Sequence, residues 1–233
     1  MEAPLSPSAR LGLHLSLGAV VLVGAAWAFG AIAEDVVTGD RITVLDIQFA
    51  EWLHAHARPT LTAWMLAITN LHSTIAVSSY AALAALWLAH RRQWRRLVTL
   101  AVCFAGGLAL NVAMKFAFHR ARPILDDPLL TLSSYSFPSG HVAGSTILYG
   151  LVVAWVFVAT PRAAWRVGAV CVAMLAIALV AFTRMYLGVH FLSDVCAAFV
   201  EGVAWLALSL SGLAELWRHT TWFPPPQPRG PAT

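Results

Sequence analysis

The sequence predicts an all-α integral membrane protein, a six-helix bundle with one further helix lying at the extracytoplasmic membrane surface. Three observations carry this. Of 233 residues, 59% are hydrophobic and only 11% are charged, against about 25% in an ordinary soluble domain. The mean hydropathy is +0.72, so the natural solvent is lipid. The few charges gather in short clusters between six apolar stretches, each long enough to cross a hydrocarbon core of roughly 30 Å.

Residues 1–10, with two prolines, read as a cytoplasmic N-terminal segment. Leu11 to Ala33 carries no formal charge over 23 positions and is the first span. It is long for a signal peptide and no convincing small-residue cleavage site follows before Glu34, so it is read as a retained helix. Segment 34–58 holds Glu34, Asp35, Asp40, Arg41, Asp46, Glu51 and Arg58 among Val44, Leu45, Ile47, Phe49, Trp52 and Leu53. That spacing suits an interfacial amphipathic helix. Pro59 to His90 is 32 residues without a formal charge. The polar run Thr69 to Thr74 interrupts it, and predicts one long crossing with an irregular entry. Leu97 to Met114 is the third span, with Gly106 and Gly107 allowing close helix contact. Arg120 to Gly140 is a loop rich in Pro, Asp and Ser. Val142 to Thr160, Val167 to Thr183 and Val189 to Leu216 complete the six. Residues 11–218 thus form one membrane domain, and the proline-rich tail 219–233 is expected to be disordered.

Alternating the spans separates the charges. Arg91, Arg92, Arg95 and Arg96, then Arg162 and Arg166, fall on one side with Arg218 and Arg229. The positive-inside bias makes that side cytoplasmic. Segment 34–58, Lys115 to His141 and Arg184 to His190 fall on the other. A net charge of +4 could suggest nucleic acid, but the arginines sit in loops between spans, and no nucleic-acid partner is expected. Cys103, Cys171 and Cys196 lie in apolar stretches without metal-ligand spacing and read as small buried hydrophobes. His54 and His56 lack a third ligand and read as surface histidines.

Three polar islands remain, within 115–194. Lys115, the only lysine, precedes Arg122 by seven residues, two turns if the helix continues. Arg184 adds a third cation. Fixed positive charge at a membrane-embedded position is costly and makes sense opposite a multiply charged anion. Arg120, by contrast, is expected to snorkel to headgroups. Pro138-Ser139-Gly140-His141 opens a helix. Ser139 can act as N-cap, Gly140 lets a ligand approach the backbone, and the free N–H groups favour an anion. His190 and Asp194 are four apart, one turn on a helix face. A carboxylate on one imidazole nitrogen fixes the tautomer and leaves the other as nucleophile or base. Two histidines suggest that one attacks phosphorus, becoming a phosphohistidine, while the other protonates the leaving oxygen. Three cations with backbone N–H groups would hold the equatorial oxygens. No carboxylate cluster suits Mg²⁺, so the expectation is metal-independent chemistry with no cofactor. Glu201, mid-span, reads as a protonated or hydrogen-bonded carboxyl inside the bundle, with a specificity or proton-relay role as the alternative.

Lys115-x6-Arg122-Pro123, Pro138-Ser139-Gly140-His141 and Arg184-x5-His190-x3-Asp194 together resemble the three-part signature of the type 2 phosphatidic acid phosphatase superfamily. The resemblance implies a six-span membrane hydrolase of lipid phosphates or pyrophosphates, with its site on the extracytoplasmic side of a bacterial plasma membrane. It implies His190 as nucleophile, Asp194 orienting it and His141 as general acid. Lys115, Arg122, Ser139, Gly140 and Arg184 would hold the phosphate. Thr183 stands where serine is common in the family, a departure that keeps the hydroxyl. Among lipid substrates the reading leans to undecaprenyl pyrophosphate, as compact bacterial members of this type often look this way. Phosphatidylglycerophosphate, phosphatidate and lipid A are the alternatives. The superfamily also contains vanadium haloperoxidases, but those soluble proteins are not six-span, and hydropathy argues against them. A non-enzymatic lipid transporter would not need His190.

Overall fold

The computed structural model describes residues 7–219, which contain helices and no strand. Residues 1–6 and 220–233, which carry most of the expected N-terminal segment and tail, lie outside them. Among the described residues, six helical stretches are long and apolar enough to cross a membrane: Leu15–Thr38, Pro59–His90, Trp94–Phe118, Gly140–Ala159, Ala163–Tyr186 and Leu192–Trp217. Their outward faces carry large apolar side chains such as Trp27, Ile75 and Val158, exposed by 76, 81 and 80%. A surface of that kind is matched to lipid.

Helix α1 spans Pro7–Thr38. It therefore takes Glu34 and Asp35 into its last turns, where an interfacial helix from residue 34 was expected. Gly39, at φ +78°, turns the chain, and α2 runs only over Arg41–Ala55. Its charges are also distributed differently. Val44, Leu45, Ile47 and Trp52 face outward, while Asp46, Ala50 and Leu53 are buried against the bundle. The i, i+4, i+7 spacing of the last three makes one face. A helix that points apolar side chains out and a carboxylate in is arranged for an apolar surround.

Pro59, at the first helical position where its missing N–H costs nothing, starts α3 (Pro59–Leu71). The polar run ends α3 outright, and α4 (Thr74–His90) begins anew with the Ser73 side chain capping Ala76 N–H at 3.2 Å. Thirteen residues rise only about 20 Å, so α3 and α4 together make one crossing. The break is fixed by side chains. His72 Nδ1–H donates to Ile68 O at 2.9 Å, which leaves Nε2 to accept from the Tyr149 hydroxyl at 2.7 Å.

The third span is α5 (Trp94–Leu100), a π-helical turn at Ala101–Ala105, and α6 (Gly106–Phe118). The wider turn goes with a carbonyl bonded outside the helix: Cys103 O accepts the Trp205 indole N–H at 2.8 Å. The same indole lies on Gly106 and Gly107. A Cβ at Gly107 would meet Ile147 Cδ1 at 2.3 Å and Trp205 Cδ1 at 2.9 Å. Helix α7 (Gly140–Ala159) sits at the centre, packed against α4, α6, α8 (Ala163–Tyr186) and α9 (Leu192–His219), while α1 covers α9. Buried aliphatic residues fill the bundle in two layers, one around Val142, Val180 and Leu187 and one around Val77, Ile147 and Leu151.

Adding methyls in a filled groove costs about 1–3 kcal/mol. Gly107→Val is therefore expected to lower the melting temperature in detergent, whereas Gly168→Ala, with nothing within 4 Å of its new Cβ, is expected to leave it unchanged or raise it. Equal melting temperatures for Gly107→Val and the parent would show that the α6–Trp205 contact does not hold the bundle.

Candidate active site

The three islands meet at one end of the bundle. Their junction is built by two helix termini. Helix α8 ends in a Schellman motif: Gly188, at φ +70°, occupies the left-handed position. Gly188 N donates to Met185 O at 2.9 Å and Val189 N to Arg184 O at 3.2 Å. His190 N also returns to Arg184 O, at 3.3 Å. This is why five residues separate Arg184 from His190: the turn brings the histidine back beside the arginine's own backbone. His190 is accordingly in the connector and not on the helix with Asp194, as the four-residue spacing had suggested.

Helix α9 then begins with Asp194 in its first turn. Asp194 Oδ2 accepts the Phe191 N–H at 2.9 Å and faces His190 Nδ1 at 3.3 Å. The first bond is the backward arm of a capping box, and a carboxylate there is favoured by the helix dipole. Asp194 O accepts the Ser139 N–H at 3.1 Å, tying the start of α9 to the start of α7. His190 is 2% exposed. Burial pushes its pKa down to about 3, against the opposing hydrogen bond and charge of Asp194. The ring is therefore neutral near pH 7, with Nδ1–H donating to Asp194 and Nε2 carrying the lone pair.

The cations take different positions. Lys115 is on α6 and donates to Tyr135 O at 2.8 Å and Ser136 O at 3.3 Å. Helix α6 stops at Phe118, and His119 adopts a left-handed conformation at φ 48°. The helix does not continue, so Arg122 lies in the expected loop and is not aligned with Lys115 by helical periodicity. It reaches the same place through the loop. Nη2 donates to Tyr135 O at 3.2 Å, and Nη1 to Val189 O at 2.5 Å and His190 Nε2 at 3.3 Å. Burial lowers its pKa and the charge of Asp194 opposes this. Arg184 is 1% exposed. Thr69, at the broken end of α3, accepts its Nη1 at 2.7 Å, while Nε and Nη2 have no protein partner.

Ser139 stands at the N-cap position of α7, but its side chain makes no cap bond, contrary to expectation, and its buried Oγ has no partner. Gly140 is half-buried, and a Cβ there would stand 3.3 Å from Asn111 Oδ1. His141, also half-buried, is within electrostatic reach of the Arg184 and Arg122 guanidiniums and of the His190 and His72 rings. Buried guanidinium N–H groups, a free hydroxyl and the start of α7 converge beside a neutral imidazole. That set fits a tetrahedral oxyanion.

Four residues were not anticipated. Arg120 does not snorkel: Nη1 donates to Asp194 Oδ1 at 2.6 Å and Nη2 to Asp46 Oδ2 at 2.8 Å. Asp46 also accepts the Ser193 N–H at 2.9 Å and the Ser193 hydroxyl. Thr69 holds Arg184. A faint signal existed for Asp46, as the one charge on the small-residue face of α2. None existed for Arg120, which sequence cannot tell from a headgroup ligand. Glu201 is 5% exposed and accepts Asn111 Nδ2 at 2.8 Å, the hydrogen-bonded interior carboxyl that was expected. His56 is exposed as foreseen, but His54 is half-buried.

A helical membrane bundle with this oxyanion site at one end defines a class, the membrane phosphoric ester hydrolases. The sequence profile of the PAP2 superfamily matches residues 96–218, and the chain belongs to that superfamily. It is 32% identical over 148 residues to phosphatidylglycerophosphatase B of Bacillus subtilis (strain 168), covering 63% of this chain and 72% of the relative. It superposes on the crystal structure of a transmembrane PAP2-type phosphatidylglycerolphosphate phosphatase from Bacillus subtilis with a TM-score of 0.75. That match has 25% identity and covers 86% of this chain and 98% of the other. Aquifex aeolicus LpxE shares the fold, with a TM-score of 0.57 at 21% identity over 71% of this chain and 94% of that one.

The low pKa of His190 has a stability consequence. Below the ordinary value of 6.5 the unfolded chain takes a proton that the folded protein refuses until about pH 3. Stability therefore falls as pH drops through that window. His190→Gln is expected to flatten the fall in melting temperature between about pH 6.5 and pH 4. An unchanged slope would mean that His190 is protonated in the fold.

Proposed function

We propose that this protein is a lipid phosphate phosphatase of the bacterial plasma membrane, with residues 11–218 as its working unit. In this reading it removes the terminal phosphate of a glycerophospholipid monoester, phosphatidylglycerophosphate first among them, through a phosphohistidine on His190. The observation that carries the reading is the neutral His190 ring, held by the Asp194 carboxylate, beside the unpartnered N–H groups of Arg184 and the free Ser139 hydroxyl. The choice of substrate draws on similarity to a phosphatidylglycerophosphatase at 32% identity. It favours the phospholipid monoester over undecaprenyl pyrophosphate, towards which sequence alone had leaned. Undecaprenyl pyrophosphate, phosphatidate and lipid A stay as the substrates to compare.

The phosphate would lie between Arg184, Ser139, the N–H groups at Gly140 and His141, and the Lys115 and Arg122 side chains. A phosphate oxygen would compete for the Arg122 N–H that now meets His190, releasing Nε2. Nε2 attacks phosphorus as the P–O bond to the lipid breaks, and His141 delivers a proton to the departing oxygen. Asp194 stabilises the cationic ring. Water then attacks phosphorus, its proton goes to His141, the P–N bond breaks and inorganic phosphate leaves. The three cations and helix N–H groups supply the charge stabilisation that a metal provides elsewhere, so the reaction is assigned no metal.

The site faces away from the cytoplasm in this proposal. The far ends of α4 and α7 lead to Arg91–Arg96 and to Arg162 and Arg166, which the positive-inside bias retains in the cytoplasm.

Purified protein is expected to release phosphate from phosphatidylglycerophosphate with EDTA present, and to be blocked by vanadate. His190→Ala should lose about 10³-fold or more. A strict Mg²⁺ requirement, or full activity in His190→Ala, would overturn the mechanism. A faster reaction with undecaprenyl pyrophosphate in the same panel would overturn the substrate. His141→Ala should lose about 10²- to 10⁴-fold, least for esters with good leaving groups. An equal loss across leaving groups would remove His141 as the acid.

A further inference from the structure

We propose that Asp46 and Arg120 are positioning residues for the His190–Asp194 pair: Arg120, gripped by Asp46 on α2, holds Asp194 charged and oriented to take the Nδ1 proton of His190. The proposal rests on the reading of His190 as the nucleophile. It concerns Asp46, outside the three islands, and Arg120, a residue of the first island that the motif leaves open.

The geometry is closed on every side. Asp194 Oδ2 is used by the Phe191 N–H and His190, and Oδ1 by Arg120 Nη1 at 2.6 Å. Arg120 Nη1 also reaches Ser193 Oγ at 2.7 Å, and Nη2 reaches Asp46 Oδ2 at 2.8 Å. Ser193 in turn donates its N–H and hydroxyl to Asp46. The Phe191 ring lies under the guanidinium, 4.4 Å from its carbon. Both carboxylate side chains are 0% exposed and that of Arg120 is 12%. A guanidinium offers the planar fork that can bridge two carboxylates at once; lysine offers a single point.

Charge explains why the bridge matters for chemistry as well as for folding. Two buried carboxylates bonded to the same guanidinium repel, and without that cation between them one takes up a proton. A protonated Asp194 no longer fixes the Nδ1–H tautomer of His190, so Nε2 is no longer reliably the free nitrogen. Arg120 could alternatively swing to the bound phosphate, where Arg122 and Arg184 already stand. Asp46 prevents that by holding its second nitrogen. Helix α2 thereby becomes part of the site, although no α2 residue is near the three motifs in sequence.

The test uses the full chain in detergent, with phosphate release from phosphatidylglycerophosphate and the melting temperature measured together. Arg120→Gln is expected to lower kcat by about 10–100-fold, the range seen when a carboxylate–histidine unit loses its outer partner, with KM changed by less than about threefold. Arg120→Lys should keep more activity than Arg120→Gln. Adding Asp46→Asn to Arg120→Gln removes the repelling charge and should recover at least about fivefold over Arg120→Gln alone. Glu51→Gln, exposed on α2, should behave as the parent. Nitrogen NMR of histidine-labelled protein, with the His190 signal identified by its loss in His190→Ala, should report the Nδ1–H tautomer in the parent. It should report loss of that form in Arg120→Gln and its return in the double variant. An unchanged His190 tautomer in Arg120→Gln, or a double variant no better than Arg120→Gln, overturns the proposal. If Arg120→Gln does not fold, Arg120→Lys and Asp46→Asn give the same comparison. A parent protein that hydrolyses no lipid phosphate would instead overturn the proposed function, while the tautomer measurement would still decide this point.

Discussion

The site depends on one carboxylate, Asp194, in the first turn of α9. Its side chain holds His190, the Phe191 N–H and Arg120. Its backbone carbonyl holds the Ser139 N–H at the start of α7. A single residue thus ties the turn after α8, the start of α9, the α6–α7 loop and the start of α7. Hydrogen bonds to a buried charge contribute about 1.5–3 kcal/mol each, and removing one partner of a buried pair costs about 3–5 kcal/mol. Asp194 tolerates burial because three donors meet its two oxygens and because the helix dipole favours a negative charge at that end. The imidazole follows from this arrangement: apolar burial keeps His190 neutral, and the carboxylate decides which nitrogen carries the proton.

Around that anchor the cations differ in how far the protein already satisfies them. Arg122 is bonded to Ser134, Tyr135, Val189 and His190, and Lys115 to two loop carbonyls, so an anion there competes with bonds the protein makes. These two cations organise the Arg120–Gly140 loop. Arg184 is different, since Thr69 satisfies only one of its nitrogens. An unpartnered, buried guanidinium is expensive unless an anion visits it.

Much of the architecture was legible before any coordinates. Charge-free stretches of this length can only be spans, because an unsatisfied backbone in lipid is too costly for anything but a helix. Counting them put Lys115, His141 and His190 at the same end. The superfamily was legible because its motifs combine residue type with spacing. The structure supplies a reason for one of those spacings, since the Schellman turn at Gly188 needs a fixed number of residues to return His190 to Arg184. Where local reasoning failed, it had started a helix too early: His190 was set at the start of α9 and lies just before it, in the connector that returns to Arg184. Arg122 lies in the loop expected from Arg120 to Gly140, so its two-turn alignment with Lys115 does not arise.

Sequence by itself determined the solvent, the number of crossings, the end at which the chemistry gathers and the family, because each follows from hydropathy or from local spacing. Only the tertiary structure decided which arginine does what. Arg120, Arg122 and Arg184 are indistinguishable as isolated side chains. One bridges two carboxylates, one braces a loop and one keeps open N–H groups. That sorting depends on acceptors that come from elsewhere in the chain: Asp46 from α2, Thr69 from α3 and Asp194 from α9. The side chain of an arginine is long enough to reach any of them, and only the packed bundle fixes which one it meets.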